Sequence, residues 1–280
     1  MSDILTDFSA SALTNRIKGN LYEYFQYIAF SKKAEALDSP ALLRWYTFID
    51  NPWLNGILCR TLNTDADIRR IMEEAPYFRS KSVHGFNCWP PSDLTVETWK
   101  PRFEAYGFRY DANTPGMSLG LDTLKPVQHY SPEIQIEHVT TLEQLRVWTR
   151  TFIKGFQIPP SMENALFALV SDLDLDWPNR NYIGYLHGEP VATSNVFLGA
   201  GVAGIQYVST CEAARGRGIG AAMTIAPLHD AMHIGYKIGT LQSSEMGQSV
   251  YKRIGFEHVC QMEHFYYAIP PSEDAVDNHT

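Results

Sequence analysis

A short segment rich in glycine and arginine, Arg215 to Gly220, carries the clearest chemistry in the sequence. It holds Gly216, Gly218 and Gly220 between and beside Arg215 and Arg217, and an alanine-rich stretch with helical character follows it. Backbone N–H groups at a helix start form an anion site, glycines let a bulky anion approach the backbone, and arginine's forked donors suit phosphate. The segment predicts a diphosphate cradle; the alternative is an ordinary glycine-rich turn that caps a helix.

A dinucleotide fold is one alternative use of these glycines. Gly216-x-Gly218-x-x-Ala221 fits its fingerprint, and Glu245 lies where an acid that binds ribose would stand. Two features speak against it. Five residues separate the preceding strand from the first glycine, and only 36 residues (280 − 244) follow the next strand, too few for further βα units. A P-loop is excluded because no Lys-Ser/Thr pair follows the glycines.

The second half of the chain shows a regular order of strands and helices. The predicted strands are 134–139, 181–187, 191–200, 202–210, 238–244 and 256–269. The predicted helices are 142–156 behind a Thr141 cap, 161–173 opened by Ser161, a helix of about four turns after the glycines, and 247–254. This order predicts an α+β fold with a mixed, mostly antiparallel sheet flanked by helices.

Residues 134–269 resemble the GNAT-type N-acetyltransferases. The family's motif Arg/Gln-x-x-Gly-x-Gly/Ala is matched by Arg215, Gly218 and Gly220, and "VYKRIGF" matches its tyrosine helix through Tyr251. The resemblance implies that Arg215 to Gly220, with Ile219 among them, bind the diphosphate of acetyl-CoA. It also implies a splay between the strands before the glycines and before the tyrosine helix, in which the acetyl-pantetheine arm would lie.

The same resemblance suggests the remaining site residues. The strand end Val208, Ser209 and Thr210 would pair with the pantetheine amides, and a backbone N–H there would stabilise the oxyanion. Ser244 stands where the family often has an asparagine that contacts the cofactor. Tyr251 is the candidate hydrogen-bond donor to the departing thiolate, and the alternative is a core tyrosine packed on the following phenylalanine.

Other residues of catalytic type receive no such role. Glu212 and His187 could act as a general base through water, but a surface glutamate and an ordinary strand histidine are the simpler interpretations. His229 and His233 lie one helical turn apart without a third ligand, so we predict no metal. The acidic run "SDLDLDWP" fails as a calcium loop because its sixth position is Trp177; it could be an acidic lip or a solvated helix end.

Composition limits the partners. The 280 residues carry a net charge of −8, which argues against general nucleic-acid binding and is compatible with a small amine acceptor. The four cysteines lack paired spacing and are expected to be free thiols. No leader-like or membrane-spanning pattern is present, so we expect a cytoplasmic protein with no membrane partner. The sequence does not indicate an oligomeric state.

A repeat of 148 residues suggests that the fold is duplicated. "NGILCRTL" at 55–62 is similar to "AGIQYVST" at 203–210, and "YGF" is similar to "IGF" at the same offset (204 − 56 = 148; 255 − 107 = 148). At this offset the glycine segment corresponds to glycine-free residues within 67–72, and Tyr251 corresponds to Phe103. We therefore expect a degenerate GNAT-like domain at 1–125 without a cofactor site, a linker within 121–133, an acetyl-CoA-binding domain at 134–269 and a disordered tail at 270–280.

The function expected from these features is transfer of an acetyl group from acetyl-CoA to a primary amine by direct attack. A non-catalytic acyl-CoA-binding sensor is the alternative, and a nucleotide-dependent oxidoreductase is a third.

Overall fold

A computed structural model describes residues 4–49, 51, 53–92 and 94–270, without the side chain of residue 113. The chain divides into two units. Unit 1 is Met1–Ser31 with Asn113–Met262, and unit 2 is Lys32–Ala112 with Glu263–Thr280. Each unit combines two separate stretches of the chain. The contiguous domains expected at 1–125 and 134–269 stay a prediction. The expected tail lies outside the described residues except for Pro270.

Helices and strands are numbered in chain order. Those of unit 1 are α1 Ala10–Ala29, β6 Ile134–His138, α5 Leu142–Phe156, α6 Glu163–Ser171, β7 Asn179–Leu186, β8 Glu189–Gly199, β9 Val202–Thr210, α7 Ile219–His233, β10 Ile238–Gln242 and α8 Glu245–Ile254. Those of unit 2 are β1 Glu35–Asp38, β2 Leu42–Tyr46, β3 Gly56–Cys59, α2 Asp65–Met72, α3 Ala75–Ser80, β4 Gly85–Trp89 and α4 Val96–Ala105. Two long strands, β5 Phe108–Gly120 and β11 Glu257–Ala268, each begin in one unit and end in the other.

The sheet of unit 1 has the strand order β11-β5-β10-β9-β8-β7-β6. Strands β6 to β9 pair antiparallel, β9 and β10 pair parallel, and β10 pairs antiparallel with β5. Helix α7 supplies one face of the main apolar core, together with inward residues such as Val196, Ile205 and Leu241. Helices α1 and α5 cover the opposite face, where Gly204 and Gly155 give them the room for close approach.

The pairing pattern of strands β7 to β10 in unit 1 recurs in unit 2. Its strands run β1-β2-β3-β4-β11-β5, with β1, β2 and β3 antiparallel and β3 parallel to β4. Its core is rich in aromatic residues, and Phe103 of α4 is fully buried with its ring stacked 4.0 Å from that of Phe265. The expectation of a duplicated, mixed and mostly antiparallel fold is therefore confirmed.

The offset of 148 residues carries through the later elements. Shifted by 148, α8 would occupy residues 97–106 and β11 would occupy 109–120, which nearly coincide with α4 and β5. In unit 2, a complete helix, α2, takes the place that the glycine segment has in unit 1. Helix α2 closes its own N-terminus, since the Asp67 carboxylate accepts hydrogen bonds from the backbone N–H groups of Asn63 and Thr64, at 2.8 and 2.9 Å. Those bonds hold the pKa of Asp67 below its usual range.

Two local predictions differ from the structure. Helix α6 begins at Glu163 rather than after Ser161, because Pro160–Met162 forms a separate 3-10 turn. The stretch 121–133 is not an open linker. It contains the 3-10 turns Leu121–Thr123 and Val127–His129, and its apolar side chains pack against the core of unit 1. The even mixture of apolar and polar residues there lacks a helical or strand period, which concealed its packing.

The burial of Phe103 generates a stability prediction. Phe103→Ala should lower the free energy of unfolding by about 3–5 kcal/mol, because it leaves a cavity in an aromatic core. Urea unfolding followed by circular dichroism measures the change. The control Leu37→Ala alters a residue of the same unit that is 41% exposed, and it should cost about 0.5 kcal/mol or less. Equal effects of the two substitutions would contradict the packing described for Phe103.

Candidate active site

The parting of β9 from β10 creates the candidate site. Their parallel pairing runs from Ala203 to Ile205 on β9 and ends with Leu241 on β10. Strand β9 continues to Thr210 and stays paired with β8 on one edge. On its other edge, residues 206–210 are not hydrogen-bonded to β10. Main-chain N–H and C=O groups seek partners wherever water is excluded. This edge can therefore hydrogen-bond an extended ligand.

A β-bulge accompanies the parting. Between the pairs Asn195–Gln206 and Thr193–Ser209, β9 has one residue more than β8, and Tyr207 has a positive φ of 55°. A bulge re-aims the residues that follow it. The Thr193 hydroxyl holds the bulge by donating to the Tyr207 carbonyl at 3.0 Å, and it also contacts the Ser209 hydroxyl at 2.7 Å. The Ser209 side chain is thus engaged within the protein, which leaves its backbone for a ligand.

The glycine segment forms the opposite end of the site. Gly216 and Gly218 have φ values of +78° and +73°, a conformation that favours glycine. Gly218 is the N-cap of α7 and has no side chain to cap the helix. The first backbone N–H groups of α7, those of Ile219, Gly220 and Ala221, therefore remain available to an anion.

Two observations define how closely the backbone can be approached. A Cβ atom at Gly216 would meet nothing within 4 Å, and one at Gly220 would meet only the Thr210 hydroxyl, at 3.9 Å. At Gly218 a Cβ atom would overlap the Tyr130 carbonyl oxygen. Gly216 and Gly220 thus leave space for a ligand, whereas Gly218 leaves space for the protein's own segment 121–133.

The two arginines differ in their placement. Arg215 is anchored by carbonyl groups, since its Nε donates to Thr210 at 3.0 Å and its Nη2 donates to Gly155 at 3.3 Å. These bonds fix the guanidinium beside the end of β9. Arg217 is exposed and does not line the cleft, so it can add only longer-range positive charge there.

Tyr251 lies on the far wall, on α8. Its ring meets that of Phe256 edge-on, with 6.0 Å between ring centroids, and it lies over Gly247, where a Cβ atom would approach it to 2.8 Å. Among the described residues its hydroxyl group has no hydrogen-bond partner. Burial raises the pKa of Tyr251 to about 12. The hydroxyl therefore keeps its proton at any physiological pH and can act as a donor.

Ser244 begins α8. Its Oγ accepts a hydrogen bond from the Gly247 backbone N–H at 3.2 Å and so caps the helix. Serine is among the best N-cap residues, which gives this position a structural role in addition to the expected contact with a cofactor.

A cleft of about 760 Å³ joins these parts, within the range of ligand sites. Ten of the eleven expected site residues line it, all except Arg217; their roles toward a cofactor stay a prediction. Sequence reasoning missed further lining residues: His129, Tyr130, Gly155, Phe156, Ala214, Ala221, Met246, Gly247, Val250, Arg253 and Ile254. Met246, which is 75% exposed, and Val250 form an apolar i, i+4 pair on α8 that could have signalled a ligand-facing surface.

The other candidate residues lie elsewhere. Glu212 is exposed on a 3-10 turn, and His187 is exposed in the turn between β7 and β8 with a φ of 52°. His229 is bonded to the Lys125 carbonyl at 3.0 Å. No group of three or more metal-binding side chains occurs among the residues described.

The acidic run at the end of α6 is engaged in structure. Asp172 accepts a hydrogen bond from Ser31, and Asp174 accepts one from Tyr27, each at 2.9 Å. Asp176 pairs with Arg180. The first two contacts fasten this run to the end of α1, so its carboxylates are not an open lip for a cationic ligand.

The architecture is similar to that of known acetyltransferases. A GCN5-related N-acetyltransferase from Kribbella flavida superposes with a TM-score of 0.65 at 13% identity, over 97% of this chain and 99% of that one. One from Sphaerobacter thermophilus gives 0.62 at 14% identity, over 85% and 84%. A tandem GNAT protein from the clavulanic acid biosynthesis pathway gives 0.58 at 11% identity, over 91% and 96%.

The chain therefore has the GNAT fold, in an arrangement similar over most of its length to that of a tandem GNAT protein. No family model and no curated protein matches the sequence. In the part of the chain that the structure describes, no helix is both long and apolar enough to cross a bilayer.

The two left-handed glycines generate a paired prediction. Gly216→Ala should cost about 1–2 kcal/mol of stability, the usual penalty of this backbone conformation. Gly218→Ala incurs the same penalty, and its Cβ also overlaps the Tyr130 carbonyl, which should add roughly 1–3 kcal/mol. Thermal and urea unfolding of both variants test the difference. A Gly218→Ala protein as stable as Gly216→Ala would show that Tyr130 does not pack against this loop.

Proposed function

We propose that the protein is an acetyl-CoA-dependent N-acetyltransferase that acts on a small primary amine. The observation that carries the proposal is the joining, in one cleft, of an uncapped helix N-terminus, an unpaired strand edge and the hydroxyl of a partly buried tyrosine. In the proposal, the helix N-terminus binds the diphosphate, the strand edge binds the pantetheine arm and the tyrosine contacts the thioester.

The phosphate end of the cleft fits an organic diphosphate. The N–H groups of Ile219, Gly220 and Ala221 provide donors and the positive end of the α7 dipole. Arg215 supplies a fixed positive charge, and Arg253 on α8 brings a second one to the opposite wall. The absence of a Cβ atom at Gly220 leaves the space that the phosphates require.

The edge of β9 fits the pantetheine arm. Amide groups of the arm would extend the sheet where β10 has turned away, and Val208 to Thr210 would offer main-chain partners. A backbone N–H after the bulge would then face the thioester oxygen. A donor fixed in this way stabilises a developing oxyanion more than water can, because it needs no reorganisation.

The chemical step needs little else from the protein. The neutral amine nitrogen attacks the thioester carbon, the C–S bond breaks, and the nitrogen loses a proton. Holding the two substrates in register supplies much of the acceleration. Glu212 and His187 lie on exposed turns, so the proposal assigns the proton acceptor to neither of them.

Tyr251 would assist the departing thiolate by hydrogen bonding. Its pKa of about 12 exceeds that of a thiol, about 8.5, by roughly 3.5 units, so complete proton transfer would be uphill by about 5 kcal/mol. A hydrogen bond from the phenol carries no such penalty. Tyr251 is thus assigned as a donor that stabilises the leaving group, which takes its proton from solvent.

A cytoplasmic location accords with this function. The four cysteines are free, as is usual in a reducing compartment.

The diphosphate contact is tested by a matched pair of substitutions at Gly220. Gly220→Glu should weaken acetyl-CoA binding far more than Gly220→Gln, because the two side chains have the same size and only one repels the phosphates. An acidic residue in the first turn also stabilises a helix, so the folded state should persist. Calorimetry of wild type should give one acetyl-CoA per chain, since the corresponding segment of unit 2 has no glycine and carries the Asp67 carboxylate, which would repel a phosphate.

Two results would count against the cofactor site. Equal affinities of the Glu and Gln variants would place the phosphates elsewhere, and two equivalents bound to wild type would contradict a single site. Thermal unfolding of both variants serves as the control for folding.

The leaving-group role predicts a particular pH profile. Tyr251→Phe keeps the ring and removes the donor, so acetyl-CoA affinity should stay near wild type while kcat falls by about 10²–10⁴-fold. Because Tyr251 keeps its proton up to about pH 12, the loss should be constant from about pH 6 to about pH 10. Unchanged kcat across that range would show that Tyr251 only packs against its neighbours. If the wild-type protein binds acetyl-CoA but releases no CoA with any amine, an acyl-CoA sensor is favoured instead.

A further inference from the structure

A layer of buried amide and hydroxyl groups lies on the face of the unit 1 sheet that α1 covers. It consists of Asn20, Asn195, Gln206, Thr240 and Gln242, called the polar layer below. Each has a side-chain polar atom shielded from solvent that makes no hydrogen bond with another described residue: the Oδ1 atoms of the asparagines, the Nε2 atoms of the glutamines and the Thr240 hydroxyl. Such atoms are costly to bury without a partner.

Strand register places these residues together. Thr240 pairs with Gly204 across β9 and β10, and Asn195 pairs with Gln206 across β8 and β9. Side chains two residues apart on a strand share a face, so Gln206 lies on the face of Gly204, and Gln242 lies on that of Thr240. The two glutamines therefore flank the point at which β9 and β10 part.

Helix α1 closes one side of the layer and identifies its face. The Asn20 Oδ1 atom lies against Gly204, in the place a Cβ atom would occupy. The Asn20 amide nitrogen donates to the carbonyls of Phe197, Gly199 and Val202 at 3.0–3.4 Å. Because these bonds fix the amide nitrogen, the Asn20 Oδ1 atom points toward the strands.

The layer comes closest to solvent at its glutamines, whose side chains are partly exposed although their Nε2 atoms are shielded. Asn20 is 1% exposed and Thr240 is fully buried, whereas Gln206, Gln242 and the neighbouring Tyr207 are each partly exposed. A ligand that reached the parting of the strands from this face would meet the two glutamine amides first. Such a ligand would lie on the face of the sheet opposite to α7, beside the bulge at Tyr207.

We infer that the polar layer binds the acceptor amine and selects acceptors that carry hydroxyl or amide groups, an inference that rests on the proposed acetyl transfer. The unsatisfied atoms include both donors and acceptors, and no member of the layer is charged. Hydroxyl and amide groups donate and accept, so they can satisfy both kinds of atom. A carboxylate only accepts, and an alkyl chain does neither, so either would leave buried polar atoms without partners.

The inference is tested with four amines: glucosamine, which carries hydroxyls; glycinamide, which carries an amide; glycine, which carries a carboxylate; and butylamine, which carries neither. CoA release from acetyl-CoA gives kcat/KM for each. Wild type should prefer glucosamine or glycinamide to butylamine and glycine by about tenfold or more, because a site built for hydrogen bonds rejects analogues that lack them. The two preferred amines separate a hydroxyl-bearing acceptor from an amide-bearing one.

Variants at the glutamines separate recognition from folding. Gln206→Met and Gln242→Met should each lower kcat/KM for the preferred amine by about tenfold or more, with butylamine little changed and acetyl-CoA affinity unchanged. Their melting temperatures should stay level or rise, since each removes a buried donor that lacks a partner. Gln135→Met, at an exposed glutamine of β6, is the control and should change neither quantity.

The failures can be told apart. If wild type binds acetyl-CoA and acts on the amines but shows no preference among the four, or keeps its preference in both Met variants, the polar layer does not select the acceptor and the inference is wrong. If wild type does not bind acetyl-CoA in calorimetry, or binds it without releasing CoA with any of the four amines, the proposed function itself fails, and this inference fails with it.

Discussion

Backbone groups without hydrogen-bond partners are the constraint around which unit 1 is built. Strand β9 loses β10 as a neighbour after Ile205, and α7 begins at a glycine that cannot cap it. A folded protein normally satisfies nearly all buried main-chain groups. Here the two sets of unsatisfied groups face one cleft, so a ligand with amides and phosphates, as proposed above, would supply the partners that the sheet and the helix lack.

Unit 2 shows the same fold with internal contacts at the corresponding places. The Asp67 carboxylate accepts hydrogen bonds from the N–H groups of Asn63 and Thr64, just before α2, and Phe103 fills the position of Tyr251 with a ring stacked on Phe265. Each difference places an internal contact where the proposed function has a ligand contact in unit 1. The contrast argues that the glycines and the tyrosine of unit 1 are not requirements of the fold, because the repeated fold forms without them.

Much of this arrangement could be predicted where the cause is local. The Thr141 cap of α5 and both ends of β9 were predicted at the observed residues, because capping and alternation act within a few positions. The glycine segment was recognisable for the same reason. The segment 121–133 was not, since its place in unit 1 depends on contacts with distant residues, such as the Tyr130 carbonyl against Gly218, and such contacts leave no periodic signal.

The polar layer could not be predicted either, for a related physical reason. A glutamine in a strand is an ordinary surface residue in sequence, and Gln206 and Gln242 differ only because α1, from the far end of the chain, covers their face. What brings the layer and the cleft to the same place is strand β9. Before its bulge at Tyr207, Gly204 and Gln206 lie on the face that α1 covers, and after the bulge Val208, Ser209 and Thr210 line the cleft. Under the proposed function, the amine would therefore reach β9 from the face under α1, and acetyl-CoA would bind along the same strand in the cleft.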